Sequence, residues 1–519
     1  MPGESDGVSS TSNANVPACP PREAQGPLPN VTTEQLTLDY WLRLLGKQYD
    51  LDEVLLTPVQ VQRLNQSLQV PREDYHPQRD LLEPMDAALL AAEVNDRRTW
   101  AREKIGSGEY VTAKGSQLPV VVLEPLGYEL DLEATTPELR VALRDEQIHC
   151  APLPESFYST SLDLRLDRNA CSRLRAQEPV RVVARWPSGM QLVQSASSFG
   201  WLAADAALSQ PLSPALAKSF VRGVTVRVKE PGLMVGTPAG RITVAPGTLL
   251  PAEGKPPRAH VALGSSFVTS AREQSVLLES THRPLTRRSV LEELWHYLGG
   301  PYGLGDTQGG RDCSRLLQDV FASFGLQLPR HSSWQAQAGS FWVDVETVPE
   351  NQRGFVLDAA ARRGLVLLHF PGHIMLYLGR NPAGEPMVFH ALGEYAEACP
   401  GAGKGAEGLV RVQKIGVSNL ELGRGTSRRS LLERITRVTV IGGPPGLELA
   451  GVAKQRPASE ARIPADRACH DSEHASLYTL PEQPNQDQPL RIVSAVSSDP
   501  GPATLTLIDP HGQRIQPTV

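Results

Sequence analysis

The chain lacks any run of 18 or more apolar residues, which excludes a membrane-spanning helix. Its first 31 residues are rich in Ser, Asn, Pro and Gly, with no basic start and no apolar core, so no signal peptide is visible. The six cysteines (Cys19, Cys150, Cys171, Cys313, Cys399 and Cys469) form no CxxC, and their spacing suggests no disulfide framework. Excess positive charge is missing too. The formal net charge is −6 and the pI near 6.1, which argues against a nucleic-acid partner. Metal-ligand patterns are also scarce. Cys469-His470 with His474 has no second ligand cluster. His369 and His373 are four apart, but Pro371-Gly372 between them excludes a helical zinc pair. No metal and no cofactor is expected.

What is present suggests several folded units. At 519 residues the chain exceeds one core, and roughly three to five domains are expected. Residues 1–33 read as a disordered leader. Residues 34–115 carry helical stripes: Leu38, Trp41, Leu42 and Leu45, then Val61, Leu64 and Leu68, then Leu81 to Trp100. From 116 to 210 short β runs follow, at Leu118–Leu123, Val180–Ala184, Met190–Val193 and Trp201–Ala203, with turn residues between them. A second β-rich set spans 211–286, including Val224–Val228 and Val276–Leu278. Ser289 and Glu292 suggest a capping box opening a helix. Residues 447–519 read as a linker and a small β-rich tail, with a hairpin expected within 489–510.

The chemistry concentrates at Asp312-Cys313-Ser314. Apolar residues at 316, 317, 320 and 321 continue the i+3, i+4, i+7, i+8 stripe counted from Cys313, which predicts a helix with the cysteine in its first turn. Unpaired N–H groups and the helix dipole there favour a thiolate. A cysteine so placed can be a nucleophile, provided a histidine reaches it. The alternative is a small buried hydrophobe.

Twelve histidines compete for that role. His373 heads the strand-like run Ile374–Leu378, and His390 closes Met387-Val388-Phe389. A hairpin with Leu378 opposite Glu385 would set His373 directly across from His390 on one face. One imidazole could then take the thiol proton while the other fixes its tautomer. His331 follows Pro329-Arg330 and reads as a loop residue. Tyr302 reads either as a packing tyrosine or as a phenol that reaches an oxyanion.

Taken together, Gly300-Pro301-Tyr302-Gly303, Arg311-Asp312-Cys313-Ser314, Phe324 to Arg330, His373 to Gly379 and Phe389-His390-Ala391 resemble the NlpC-type cell-wall cysteine peptidases. The resemblance covers about residues 287–446 and implies a papain-like α+β fold there. It implies that the upstream regions are a helical stabilising module (34–115) and two bacterial SH3-like barrels (116–210 and 211–286), with Ser198 to Leu202 as a Gly-Trp barrel strand. It further implies Cys313 as nucleophile, His373 as base, His390 as orienting residue and Tyr302 at the oxyanion. Asp312 and Ser314 would bind the ammonium of a free amino-terminal L-Ala. Three departures concern the subsites: Arg315 replaces a Gly, Leu304-Gly305-Asp306 replaces Trp-Gly-Gly, and Arg363-Gly364-Leu365 replaces a Gly-Asp pair.

The implied activity is cleavage of the γ-D-glutamyl–diamino acid bond in peptidoglycan stem peptides or muropeptides. A monomer in the cell envelope or periplasm is expected. Two rival readings are a cell-wall-binding scaffold with an inactive papain-like domain and an acyltransferase sharing the acyl-enzyme.

Overall fold

The computed structural model describes residues 19–70, 75–128, 136–160, 162–237, 240–399 and 405–442, together with short strands between 476 and 515. Helix and sheet are mixed. A seven-stranded sheet runs in the order Arg22–Glu23, Glu407–Asn419, Pro386–Ala398, His373–Arg380, Leu365–Phe370, Arg437–Ile441, Phe341–Asp344. Its pairs are antiparallel except for the first strand, which runs parallel to Glu407–Asn419.

This sheet is buried on both faces, which is why its central strands read as continuous apolar runs. Ile374, Leu376 and Leu378 enter one core, with Leu316, Leu317, Val320 and Phe321 of the helix Cys313–Ala322. Met375 and Tyr377 enter the other, with Leu357 and Ala360 of the helix Glu350–Ala361. That second helix shows no apolar stripe in the sequence. Phe355 is 71% exposed while Arg353 is buried. The Arg353 guanidinium donates to the carbonyls of Leu432, Glu433 and Ile435, so its burial is satisfied.

The expected helical stretches form, but they do not share one core. Leu38–Leu45 and Pro58–Leu68 join the core around the Cys313 helix. The strand Val54–Leu56 pairs with Leu285–Thr286 and ties them there. Ala87–Gly106 instead packs on a six-stranded sheet, Leu90 and Val94 lying against Trp186, Met190 and Trp201. That sheet runs in the order Glu138–Val141, Pro179–Arg185, Gln191–Gln194, Phe199–Leu202, Glu146–His149, Ala170–Leu174. A five-stranded sheet follows, built from Thr225–Val228, Leu249–Glu253, Arg258–Leu263, Ser266–Thr269 and Leu278–Ser280.

Several expectations are corrected. Leu118–Leu123 is not a strand, because Val120–Gly127 forms 3₁₀ turns that follow Pro119 and contain Pro125. Val276 and Leu277 close another 3₁₀ turn, and the strand begins only at Leu278. The helix expected to open at Ser289 spans Arg287–Trp295. Thr286 is its cap and Ser289 the reciprocal partner, since the Thr286 N–H donates to Ser289 Oγ at 3.1 Å and the Ser289 N–H to Thr286 Oγ1 at 3.1 Å.

Within the expected leader, the described residues are tied to the sheet. Cys19 is disulfide-bonded to Cys399, and Arg22–Glu23 pairs with Val410 and Arg411. A second disulfide joins Cys150 and Cys171. The first pair is 380 residues apart, so only the sheet topology brings it together and spacing could not show it. In the tail, Leu490–Ser494 pairs antiparallel with Thr506–Ile508, inside a sheet completed by Ser476–Leu480 and Arg514–Ile515. Cys469, His470 and His474 lie outside the described residues.

Candidate active site

Cys313 is the first residue of its helix, and Asp312 is the N-cap. Asp312 Oδ1 accepts the Arg315 N–H at 2.9 Å, satisfying one of the orphan donors of the first turn. Among the described residues Cys313 is the free cysteine. The residue is 8% exposed. Burial, then the Asp312 carboxylate, pushes the thiol up to about 12. N–H groups of Ile374 and Ser314 at the sulfur oppose this and lose. The thiolate expected from the helix terminus is therefore not the resting form. Desolvation of a charged sulfur outweighs the helix end.

The Ile374 N–H places the sulfur against the start of the strand His373–Arg380, one residue from His373. The hairpin that carries the histidines differs from the expected register. Leu376 faces Phe389 and Tyr377 faces Val388, and a bulge at Leu378 shifts the pairing to Gly379 with Met387. Asn381 sets the turn: its Oδ1 accepts the N–H of Ala383 at 3.0 Å and of Glu385 at 2.9 Å. The register is displaced by two residues, so His373 and His390 still share a face. They meet diagonally, with Nε2 of His373 2.8 Å from Nδ1 of His390. On its far side, His390 Nε2 lies 3.0 Å from Ser418 Oγ. Burial, then His390, lowers the His373 pKa well below the usual imidazole value. Burial brings His390 down to about 3. Both imidazoles rest neutral at pH 7.

On the other flank of Cys313 the groups are charged. Arg330 forms a two-pronged pair with Asp312, at 3.0 Å to Oδ1 and 2.6 Å to Oδ2. Ser314 Oγ donates to Asp312 Oδ1 at 3.0 Å and accepts from Arg330 at 2.9 Å. Burial would raise the Asp312 pKa, but Arg330 holds it below the usual carboxylate value. Fully buried Asp306 lies 3.4 Å from Arg330 and 4.0 Å from Arg315. Burial raises its pKa despite Arg330. Asp319 binds Arg311 at 2.6 Å and Arg315 at 2.8 Å.

The six-stranded sheet reaches into this cluster. Arg330 Nε donates to Ser172 Oγ at 2.8 Å, and Gln147 Nε2 donates to the Ser172 carbonyl at 2.7 Å and the Gly305 carbonyl at 3.1 Å. Gly305 permits the approach. Its φ is +58°, and a Cβ there would fall 2.2 Å from the Ala170 carbonyl.

The structure thus brings together Asp312, Ser314 and Arg330 on one side, and His373 with His390 on the other. Tyr302 bridges to Arg311, two residues before Cys313, and its ring packs where a Cβ on Gly393 would lie 3.3 Å from Cε1. His331 packs against Trp334, their rings 4.3 Å apart. His369 faces Ile374 across the sheet, and burial lowers it to about 4. Sequence reasoning missed Ser418, which lies near the end of the strand Glu407–Asn419. It quoted Arg330 without giving it a role. That residue had a signal, since a buried N-cap aspartate needs a cation.

Residues 299–398 match the family model for the NlpC/P60 family. By structure the chain is similar to an NlpC/P60 endopeptidase from Photobacterium damselae subsp. piscicida, with a TM-score of 0.59 at 16% identity, covering 82% of this chain and 99% of that one. It is also similar to an NlpC/P60 family protein from Bacillus cereus, with a TM-score of 0.38 at 14% identity, covering 58% of this chain and 98% of that one. Among curated proteins no relative matches by sequence. The first likeness extends beyond the matched segment and supports a papain-like α+β fold for the seven-stranded sheet and its helices. No helix among the described residues is long and apolar enough to cross a membrane.

Proposed function

We propose that this chain is a cell-wall cysteine peptidase that hydrolyses the γ-D-glutamyl–diamino acid bond of peptidoglycan stem peptides. The observation that carries the reading is the pairing of a helix-terminal thiol with an oriented imidazole. Cys313 Sγ meets the Ile374 N–H, and the adjacent His373 is held by His390 at 2.8 Å. With Nε2 given to His390, Nδ1 is the ring nitrogen left to His373 for the thiol proton.

Thiol and imidazole both rest neutral, so the proton moves as the sulfur attacks. Sγ bonds to the γ-carbonyl carbon while its proton passes to His373. The oxyanion falls to the Cys313 N–H and the Tyr302 phenol. The C–N bond then breaks, and the leaving amine takes the proton from His373. Water, deprotonated by the same imidazole, attacks the thioester, releases the glutamyl carboxylate and restores the thiol.

We assign Asp312 and Ser314 to the subsite for a free L-Ala ammonium. An incoming ammonium there shares the carboxylate with Arg330. The six- and five-stranded sheets are read as the two SH3-like units, shaping the substrate entrance through contacts such as Ser172 with Arg330. The two disulfides fit an oxidising extracytoplasmic compartment.

The test is hydrolysis of L-Ala-γ-D-Glu-diaminopimelate beside its N-acetylmuramoyl-linked form, with products read by mass. Release of L-Ala-D-Glu from the free peptide supports the peptidase, and discrimination against the linked form supports the Asp312 subsite. Cleavage of both removes that subsite. No cleavage of either, by folded protein, rejects the reading.

A further inference from the structure

We propose that Ser418 is a positioning residue of the active site: its hydroxyl accepts the His390 Nε2–H and so fixes the tautomers of both imidazoles. The proposal rests on the reading of His373 as the base.

A neutral imidazole carries one N–H and one acceptor nitrogen. The two contacts, His373 Nε2 to His390 Nδ1 at 2.8 Å and His390 Nε2 to Ser418 Oγ at 3.0 Å, therefore form a chain that can point in only two directions. If Ser418 donates to His390 Nε2, then His390 Nδ1 carries the proton and donates to His373 Nε2. The His373 proton then sits on Nδ1, and that nitrogen cannot receive the thiol proton. If Ser418 accepts, the His390 proton sits on Nε2 and its Nδ1 accepts from His373 Nε2–H. Nδ1 of His373 is then a free acceptor. Only the second direction yields a base.

Nothing fluid sets that direction. His390 is 1% exposed and Ser418 fully buried, so bulk water does not exchange partners with them. The geometry repeats from strand to strand. Val388 pairs with Ser418 and His390 with Gly416, so Ser418 lies diagonal to His390 on the same face, as His390 lies diagonal to His373. Three neighbouring strands thus each contribute one member of a single hydrogen-bonded line. A hydroxyl suits its end. It accepts from the resting imidazole, and it adds no charge that would have to be buried.

The test uses the full chain labelled with ¹⁵N-histidine. Long-range ¹⁵N–¹H spectra of the wild type should show the proton on Nε2 of both His390 and His373. Ser418→Ala should lose that fixed pattern and lower kcat on the γ-glutamyl peptide by about tenfold to a hundredfold, as loss of an outer partner of a metal-binding histidine does, with KM little changed. Ser418→Thr, which keeps the hydroxyl, should restore both. A wild-type proton on His390 Nδ1 overturns the proposal, and this spectrum decides it even where Ser418→Ala does not fold. Ser418→Ala with unchanged tautomers and kcat also overturns it, leaving the peptidase intact. A wild type that cleaves no peptide, yet shows the tautomer pattern and loses it in Ser418→Ala, upholds the hydrogen-bonded line and rejects the peptidase.

Discussion

The two flanks of Cys313 are equally buried and chemically opposite. On one side His373, His390 and Ser418 are neutral groups in line. On the other, Asp306, Asp312, Arg315 and Arg330 are buried among paired charges, with half-buried Asp319 at their edge. Burial has the same sign of cost on both sides, since it disfavours the charged form. The outcome differs because the second flank supplies counter-charges at 2.6–4.0 Å and the first, among the described residues, supplies none. Protons are easily moved on the histidine flank and locked on the arginine flank. On the proposed reading catalysis belongs to the first, while the second joins the subsite proposed at Asp312 and Ser314 to the junction with the six-stranded sheet.

That division can be broken by substitution. Cys313→Ala should lower peptide hydrolysis by roughly four orders of magnitude or more and leave the fold intact, measured by turnover beside circular dichroism. His390→Ala should cost about a hundredfold in kcat with little change in unfolding midpoint. Equal losses of kcat and stability would erase the division. Arg330→Met should do the reverse. It takes the paired cation from buried Asp312 and the nearer of two cations from buried Asp306, and should cost about 3–5 kcal/mol in denaturant unfolding. Adding Asp306→Asn and Asp312→Asn should recover part of that loss.

Acid separates the flanks more gently. His373 and His390 have folded-state pKa values below the ordinary 6.5, so the unfolded chain binds protons first as pH falls. Their contribution is complete above pH 6.5 and declines from there toward about pH 3. Asp312 and Asp319 are held below 3.8, so their contribution declines only below that value. A thermal midpoint that starts to fall near pH 6, and falls less in His390→Asn, is the expected result. A midpoint flat down to pH 4 would contradict it.

Much of the first flank could be read in the sequence. The stripe from Leu316 to Phe321 located the helix, and strand-like runs located both histidines. The hairpin register could not be read, because a bulge at Leu378 and the Asn381 turn decide it through hydrogen bonds that leave no periodic trace. Ser418 was hidden for a related reason. A serine becomes informative only when strand pairing sets it beside His390. On the second flank, Leu304-Gly305-Asp306 stood out as a departure, yet nothing local shows that Asp306 faces Arg330, since that contact arises between elements. The helix Glu350–Ala361 escaped because its buried arginine and exposed phenylalanine invert the usual pattern. The Cys19–Cys399 bond escaped because its two ends lie 380 residues apart.

The most direct measurement of the central claim is a trapped intermediate. The full chain would be mixed with L-Ala-γ-D-Glu-diaminopimelate, quenched in acid within the first turnovers and digested for mass analysis. The Cys313 peptide should gain the mass of an L-Ala-γ-D-glutamyl group in thioester linkage, with more accumulating in His390→Ala if water attack slows more than acylation. Hydrolysis that proceeds with no adduct on Cys313, and persists in Cys313→Ala, would contradict that claim.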